Sequence, residues 1–268
     1  MLDAALAALA TDGLSLGLDQ VRFEDVVRAA DVSRTSAYRR WPAREQFVED
    51  VLVELARGVD LVGVPVVVGE RAANLLAGHP DDLRSPAGRH ELFVELVRLS
   101  FQADLEAMVA SAHFRTYLAL RHGFAQAAAP GLRERIATAL AGSERRSVAR
   151  GVAVLVGATG ALGIRLAPPL VAPDGFEQLA RSIVATSLGF VAEAVTDRGL
   201  LSIVHTAVAF GTTRPAPWTV PAFALTSLVL GHLEPDPDAR IESPERIEAA
   251  LLALGAAVAG GAPVTAGA

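Results

Sequence analysis

In residues 2–57 the apolar positions recur every three or four residues and are cut by turn signals at short range. Short packed helices satisfy that cadence and a sheet does not. Leu2, Leu6 and Leu9 make one stripe, running to about Ala10 and stopped at Thr11-Asp12-Gly13. Phe23, Val26, Val27 and Ala30 share one face of a second short helix. Asp31-Val32 forms a turn, and Ser33 is a good N-cap for a third helix through Arg40. Pro42 ends that helix, because the residue before a proline avoids the α region. A fourth helix, from about Arg44 to Arg57, turns Phe47, Val48, Val51, Leu52 and Leu55 inward. The chain has 51% hydrophobic and only 5% aromatic residues, so its core must come from aliphatic helix faces. Ala, Leu, Arg and Glu are all good helix formers, which favours an α protein.

A chain of 268 residues exceeds the common single-domain size, so a small domain joined to a larger one is expected. Val59 to Gly69, apolar and β-branched with glycines, reads as the link. Further helices are expected at about Arg89 to Ala110, His113 to Ala127 and Leu132 to Ala141. Ser143 to Leu166 and Phe176 to Thr196 read as a helical hairpin joined by the proline-rich Ala167 to Asp174. Beyond Gly199 the pattern weakens. Helices are expected at His205 to Phe210, Pro221 to Leu233 and Pro244 to Val258, with a frayed end from Gly260. There is no internal repeat.

The absence of cysteine removes disulfides, thiolate metal sites and cysteine nucleophiles. The opening Met1-Leu2-Asp3 has neither the basic nor the apolar region of a signal peptide. The longest apolar run, Gly151 to Ile164, is short for a bilayer and meets Arg165. The expectation is a cytoplasmic chain with no membrane partner. His113 and His122 lack metal-ligand spacing, so no metal and no cofactor are expected. The net charge of −6 argues against nucleic acid only if it is spread evenly. Phosphates feel cations within a Debye length of about 8 Å, so local charge decides. Every Lys/Arg cation is Arg, and Ser33 to Arg44 contains Arg34, Arg39, Arg40 and Arg44 with no acid. Ser33, Thr35, Ser36 and Tyr38 are interleaved, hydrogen-bonding side chains suited to phosphates and base edges. A short helix, a turn and a second short helix over Phe23 to Trp41 is the geometry that lowers a helix into the major groove.

The string Asp25 to Phe47 resembles the DNA-binding domain of the tetracycline-repressor (TetR) family. There a valine-serine pair opens the recognition helix, a tyrosine follows, then an aromatic residue, then a basic-acidic pair opening the fourth helix. Val32-Ser33, Tyr38, Trp41 and Arg44-Glu45 keep that order and spacing. The resemblance implies an all-α protein, with an N-terminal helix-turn-helix domain over residues 1–57. A larger helical-bundle domain over residues 58–268 would bind ligand and dimerise. It implies that Arg34 and Thr35 face base edges, and that Ser33 opens the helix. Ser36 and Tyr38 would touch phosphates, Arg39 and Arg40 would add contacts, and Arg44 would hold the backbone at a helix N-terminus. Trp41 and Phe47 read as core. Three features depart from the family. Arg22 replaces a capping Thr or Ser, which weakens the helix start while adding a phosphate contact. Asp31 replaces the turn glycine, a left-handed position that aspartate tolerates, but places a negative charge near DNA. No basic arm precedes Leu2, which implies a lower affinity or a longer native N-terminus.

A single helix-turn-helix reads few base pairs, so a homodimer on a near-palindromic operator is expected. The resemblance places the dimer contact on the hairpin, through Val152, Leu155, Val156, Thr159 and Leu162 and through Phe176, Leu179, Ile183 and Leu188. A monomer's own core is the other use for these faces. The polar and aromatic residues within apolar helices, Arg98, Phe101, His113, Tyr117, Arg121, His122 and Trp218, are the candidates for an effector pocket. A mainly apolar pocket suits a small hydrophobic effector. The extended segment 199–268 is available either to cap that pocket or to enlarge the dimer contact. The function implied is transcriptional regulation, a repressor released from its operator by ligand, and not an enzyme.

An enzyme reading starts from Val152 to Gly163, whose Gly157, Gly160 and Gly163 resemble the strand and glycine turn of short-chain dehydrogenases. Pro168-Pro169 breaks the helix that must follow, and a Tyr-x-x-x-Lys pair has no Lys to draw on. No Gly-x-Ser-x-Gly elbow is present for Ser-His-Asp catalysis. A ligand-independent DNA binder would need a smaller second half than this chain has.

Overall fold

The computed structural model describes residues 1–12, 22–58, 74–75, 78–79, 81–126, 129–171 and 174–239. The chain is mostly helical, with nine α-helices and two small two-stranded sheets among these residues. In order they are α1 (Leu2–Asp12), α2 (Phe23–Ala29), α3 (Arg34–Arg40), α4 (Arg44–Gly58), α5 (Pro86–Ala110), α6 (Ala112–Gly123) and α7 (Pro130–Leu162). Then follow β1 (Ile164–Leu166), α8 (Asp174–Thr196), β2 (Val204–Ala207), β3 (Ala216–Thr219), α9 (Val220–Leu230) and β4 (Leu233–Pro235). The expected link at Val59 to Gly69, the helix at Pro244 to Val258 and the end from Gly260 lie outside the described residues.

The chain divides into two compact units. One comprises Met1–Leu61 with Met108–Arg146, the other Val62–Ala107 with Ser147–Ala268. In the first unit the aliphatic stripes meet as their spacing predicts. Ala5 and Leu9 of α1, Phe23, Val26 and Val27 of α2, Ala37 of α3, and Phe47 and Val51 of α4 form one buried cluster. Helices this short are marginal alone, so this burial is what holds them. In the second unit, Leu92, Phe93 and Leu96 of α5 pack with Val148, Leu155, Ala158 and Leu162 of α7 and Leu179 and Ala180 of α8. Val229 of α9 and Leu233 of β4 complete that core. By length and composition α8 would suffice to cross a bilayer. Here Leu179, Ala180, Ser187, Val191 and Ala194 are buried.

Several local expectations are corrected. Leu132 to Ala141 and the first hairpin helix are one 33-residue helix, because Gly142-Ser143 does not break it. A helical glycine costs only about 1 kcal/mol, less than the packing on either side supplies. That helix ends at Leu162, four residues short of the expected Leu166, because Gly163 takes φ 63°, the left-handed conformation that closes a helix. Ile164, Arg165 and Leu166 then pair antiparallel with Pro235, Glu234 and Leu233. Val152 to Leu162 is therefore helical and holds no strand. His205 to Phe210, expected as a helix, contributes instead to β2, which pairs with β3 from Val204↔Thr219 to Ala207↔Ala216. The helix expected over Pro221 to Leu233 is Val220–Leu230, N-capped by Thr219. The helix from His113 ends at Gly123 and tightens into a 3₁₀ turn, Phe124–Gln126.

Candidate nucleic-acid interface

The turn between α2 and α3 is set by backbone chemistry. Asp31 takes φ 51°, and Val32 N–H donates to Val27 O while Asp31 N–H donates to Arg28 O, both at 3.3 Å. That crossed pair is the Schellman closure, which ordinarily uses glycine at the left-handed residue. Ser33 then caps α3. Its Oγ accepts from Ser36 N–H at 3.2 Å and donates to Ser36 Oγ at 2.9 Å. Arg22 stands at the N-cap of α2 without a side-chain cap, offering only its carbonyl to Asp25 N–H and Val26 N–H.

Within α3 only Ala37 is buried, at 1% exposure. Arg34, Thr35, Ser36, Tyr38, Arg39 and Arg40 are exposed, as are Ser33, Arg22 and Arg44. One face of the helix anchors it and the rest meets solvent. The anchoring side is aromatic. Phe23 lies 5.1 Å from the Tyr38 ring and 5.0 Å from Phe47, and Trp41 lies 5.2 Å from Phe47, the last two pairs edge-on. Phe47 is fully buried. Trp41 is half-buried and donates its Nε1–H to Asp50 at 2.9 Å. Asp50 is also held by Arg135 and faces Arg40 at 3.8 Å. Burial raises the Asp50 carboxyl, but the Trp41 and Arg135 hydrogen bonds outweigh it and hold it below the ordinary value. Arg40 also lies 5.6 Å over the Trp41 ring.

One acid escaped the sequence reading. Glu24, in the first turn of α2, accepts from Tyr38 O–H at 2.7 Å and faces Arg34 Nε at 3.2 Å. The hydrogen bond to Glu24, with burial and its charge, raises the Tyr38 phenol above its ordinary pKa. An acid in a first helical turn signals only a favourable dipole, so nothing local pointed to α3.

The candidate effector residues are divided between the two units. His113, Tyr117, Arg121 and His122 belong to the first unit, and Arg98, Phe101 and Trp218 to the second. On α6, Tyr117 is buried and Arg121 pairs with Glu144 at 3.2 Å. His122 Nδ1 donates to Leu118 O, and His113 Nε2 is buried without a hydrogen bond. Arg98 is a structural tie: it grips Glu95 through two nitrogens, donates to Pro217 O at 2.8 Å and lies 5.8 Å over the Trp218 ring. Phe101 packs against the second unit's core, and Trp218 meets Phe210 and Phe223 edge-on. An open apolar groove of about 570 Å³ lies elsewhere in that unit, lined among others by Val156, Thr159, Leu166, Leu170 and Phe176.

Of the candidate dimer residues, Leu155, Thr159, Leu162 and Leu179 are buried within the protomer. Val152, Phe176, Ile183 and Leu188 are partly buried, and Val156 is 49% exposed. The exposed residues of these helices include a stripe on each, Ala149, Ala153, Val156 and Gly160 on α7 and Ser182, Ala185, Gly189 and Ala192 on α8. No protein-family model, curated protein or solved structure matches the chain.

Proposed function

We propose that this protein is a sequence-specific DNA-binding transcriptional regulator whose helix-turn-helix is α2 and α3, with α3 as the recognition helix. The observation that carries the reading is the one-sided burial of α3. Ala37 holds it to the core while Ser33, Arg34, Thr35, Ser36, Tyr38, Arg39 and Arg40 face outward with Arg44 of α4. Short hydrogen-bonders serve phosphates and arginines serve phosphates or guanine edges, so this face suits major-groove docking. Of the acids of α4, Glu49 and Asp50 are turned to Arg135.

A homodimer is part of the proposal. Four-residue and three-residue steps of small exposed residues on α7 and α8 suit close helix approach across a two-fold axis. Release by a small hydrophobic effector completes it, and the groove in the second unit, largely apolar, open to solvent and edged by Arg165 and Glu234, is the candidate place for it. Ligand would act by binding one dimer state better than the other.

The test is titration of the purified protein against its own upstream DNA over a range of salt. Saturable binding that requires a near-palindrome upholds the reading, and no specific binding at low salt overturns it. Tyr38→Ala with Arg44→Ala should weaken binding across sequences and shallow the salt dependence by about one ion, leaving oligomeric state unchanged. Undiminished DNA affinity in that variant would remove α3 from the contact surface.

A further inference from the structure

Resting on the DNA-binding reading above, we infer that Glu24 is an intramolecular stand-in for a DNA phosphate. It occupies Tyr38 and Arg34 in the free protein and must be displaced from them when the phosphodiester backbone binds. The carboxylate gathers one hydroxyl donor and one guanidinium, at 2.7 and 3.2 Å, from successive turns of α3. A phosphate oxygen takes the same two kinds of partner. Tyr38 has a single hydroxyl hydrogen, so it cannot donate to Glu24 and to a phosphate together.

The contact is separable from the fold. Tyr38 is 47% exposed, and its ring is seated by Phe23 at 5.1 Å independently of the hydroxyl. The Arg34 side chain is 74% exposed. Glu24 Oε2 is enclosed and has no hydrogen bond of its own, only the charge of Arg34 beside it. Half of the carboxylate is thus held by attraction alone, which leaves Arg34 available to a stronger anion. A fixed negative charge at this point also repels the incoming backbone. Glu24 therefore sets a threshold: weak, sequence-independent contacts do not repay its displacement, and a fully matched site does.

The test compares full-length wild type with Glu24→Gln, which keeps an acceptor for Tyr38 and removes the charge. Binding to the protein's own upstream DNA and to an unrelated duplex is titrated against salt. Glu24→Gln should bind both about three- to tenfold tighter, with a proportionally larger gain on the unrelated duplex. Its salt dependence should be steeper by about one ion, because Arg34 is released to neutralise a phosphate. Equal or weaker binding by Glu24→Gln, with wild type binding DNA, overturns the inference. Binding by neither protein overturns the proposed function itself and the displacement with it. The intramolecular contact has its own readout, the phenolate absorbance of Tyr38, isolated by difference from Tyr38→Phe. The titration should fall towards the ordinary value of about 10 in Glu24→Ala, which removes acceptor and charge together, and an unmoved titration overturns the contact whether or not DNA binds.

Discussion

Replacing Asp104 by Asn should make the second unit more stable at mildly alkaline pH and remove most of its pH dependence above about pH 5. Asp104 sits partly buried on α5, and desolvation alone pushes its carboxyl up to about 7. Its pKa in the unfolded chain is that of an ordinary aspartate, about 3.9, so the folded value is raised by about 3 units. For an acid raised in this way, the folded protein binds its proton more tightly than the unfolded one. The stabilisation is complete below about pH 4 and is lost as pH rises through about 7. At 1.36 kcal/mol per unit the whole window spans about 4 kcal/mol, of which about 2.5 kcal/mol falls between pH 5 and pH 8. Asparagine matches the shape of the protonated acid and carries no charge at any pH.

The two tryptophans separate the measurement. Trp41 belongs to the first unit, while Trp218, buried at 3%, belongs to the second with Asp104. Urea unfolding followed by fluorescence in a Trp41→Phe background therefore reports the unit that contains the perturbation. In the parent, the free energy of unfolding should fall by about 2.5 kcal/mol from pH 5 to pH 8, and in Asp104→Asn the fall should largely vanish. A variant that keeps the parent's pH dependence, or is less stable than the parent at pH 8, would refute the reasoning.

Two further outcomes follow from groups on opposite sides of their ordinary behaviour. Asp31→Gly relieves a non-glycine φ of 51° and should stabilise the first unit by about 1 kcal/mol, read from Trp41 fluorescence; it should also tighten DNA binding by removing a charge beside α3. Glu91 is the inverse of Asp104. Burial raises its carboxyl, but hydrogen bonds from Thr213 N–H, Thr213 Oγ1 and Arg214 N–H hold it down at about 2. Its contribution is present above about pH 4 and lost as pH falls towards 2, so Glu91→Gln should cost up to about 3 kcal/mol at neutral pH and flatten the acid limb of Trp218-monitored unfolding. An unchanged acid limb would mean that the 213–214 backbone is not anchored through this carboxylate.

What was legible in the sequence is what local chemistry decides. Ser33 caps because its hydroxyl reaches a donor three residues on, and Asp31 turns because it is among the few residues that accept a left-handed backbone. What was not legible depends on residues far apart in the chain. Arg98 donates to a carbonyl 119 residues away, a tie that its own helix does not foretell. His205 to Phe210, read as a helix, is too short for periodicity to separate helix from strand, and the pairing of Val204 to Ala207 with β3 decides it. Glu24 and Tyr38 are fourteen residues apart, and neither position hints at the other until α2 and α3 are packed.

The hairpin helices illustrate the limit differently. Their apolar residues run nearly all round, so periodicity could not divide them between a protomer core and a partner. The fold makes that division. Leu155, Leu162 and Leu179, the bulky candidates for a dimer seam, fill the protomer's own core. Among what α7 and α8 leave outside is a stripe of small residues on each, Ala149, Ala153 and Gly160 on α7 and Ser182, Ala185, Gly189 and Ala192 on α8, with open space at Gly160 and Gly189. Faces of that kind gain little from burying side-chain area and much from bringing backbones close, within about 8 Å between axes. A dimer through them would therefore be sensitive to added bulk. Leucine at Gly160 or Gly189, tolerated within the protomer because nothing lies near, would hold two copies apart.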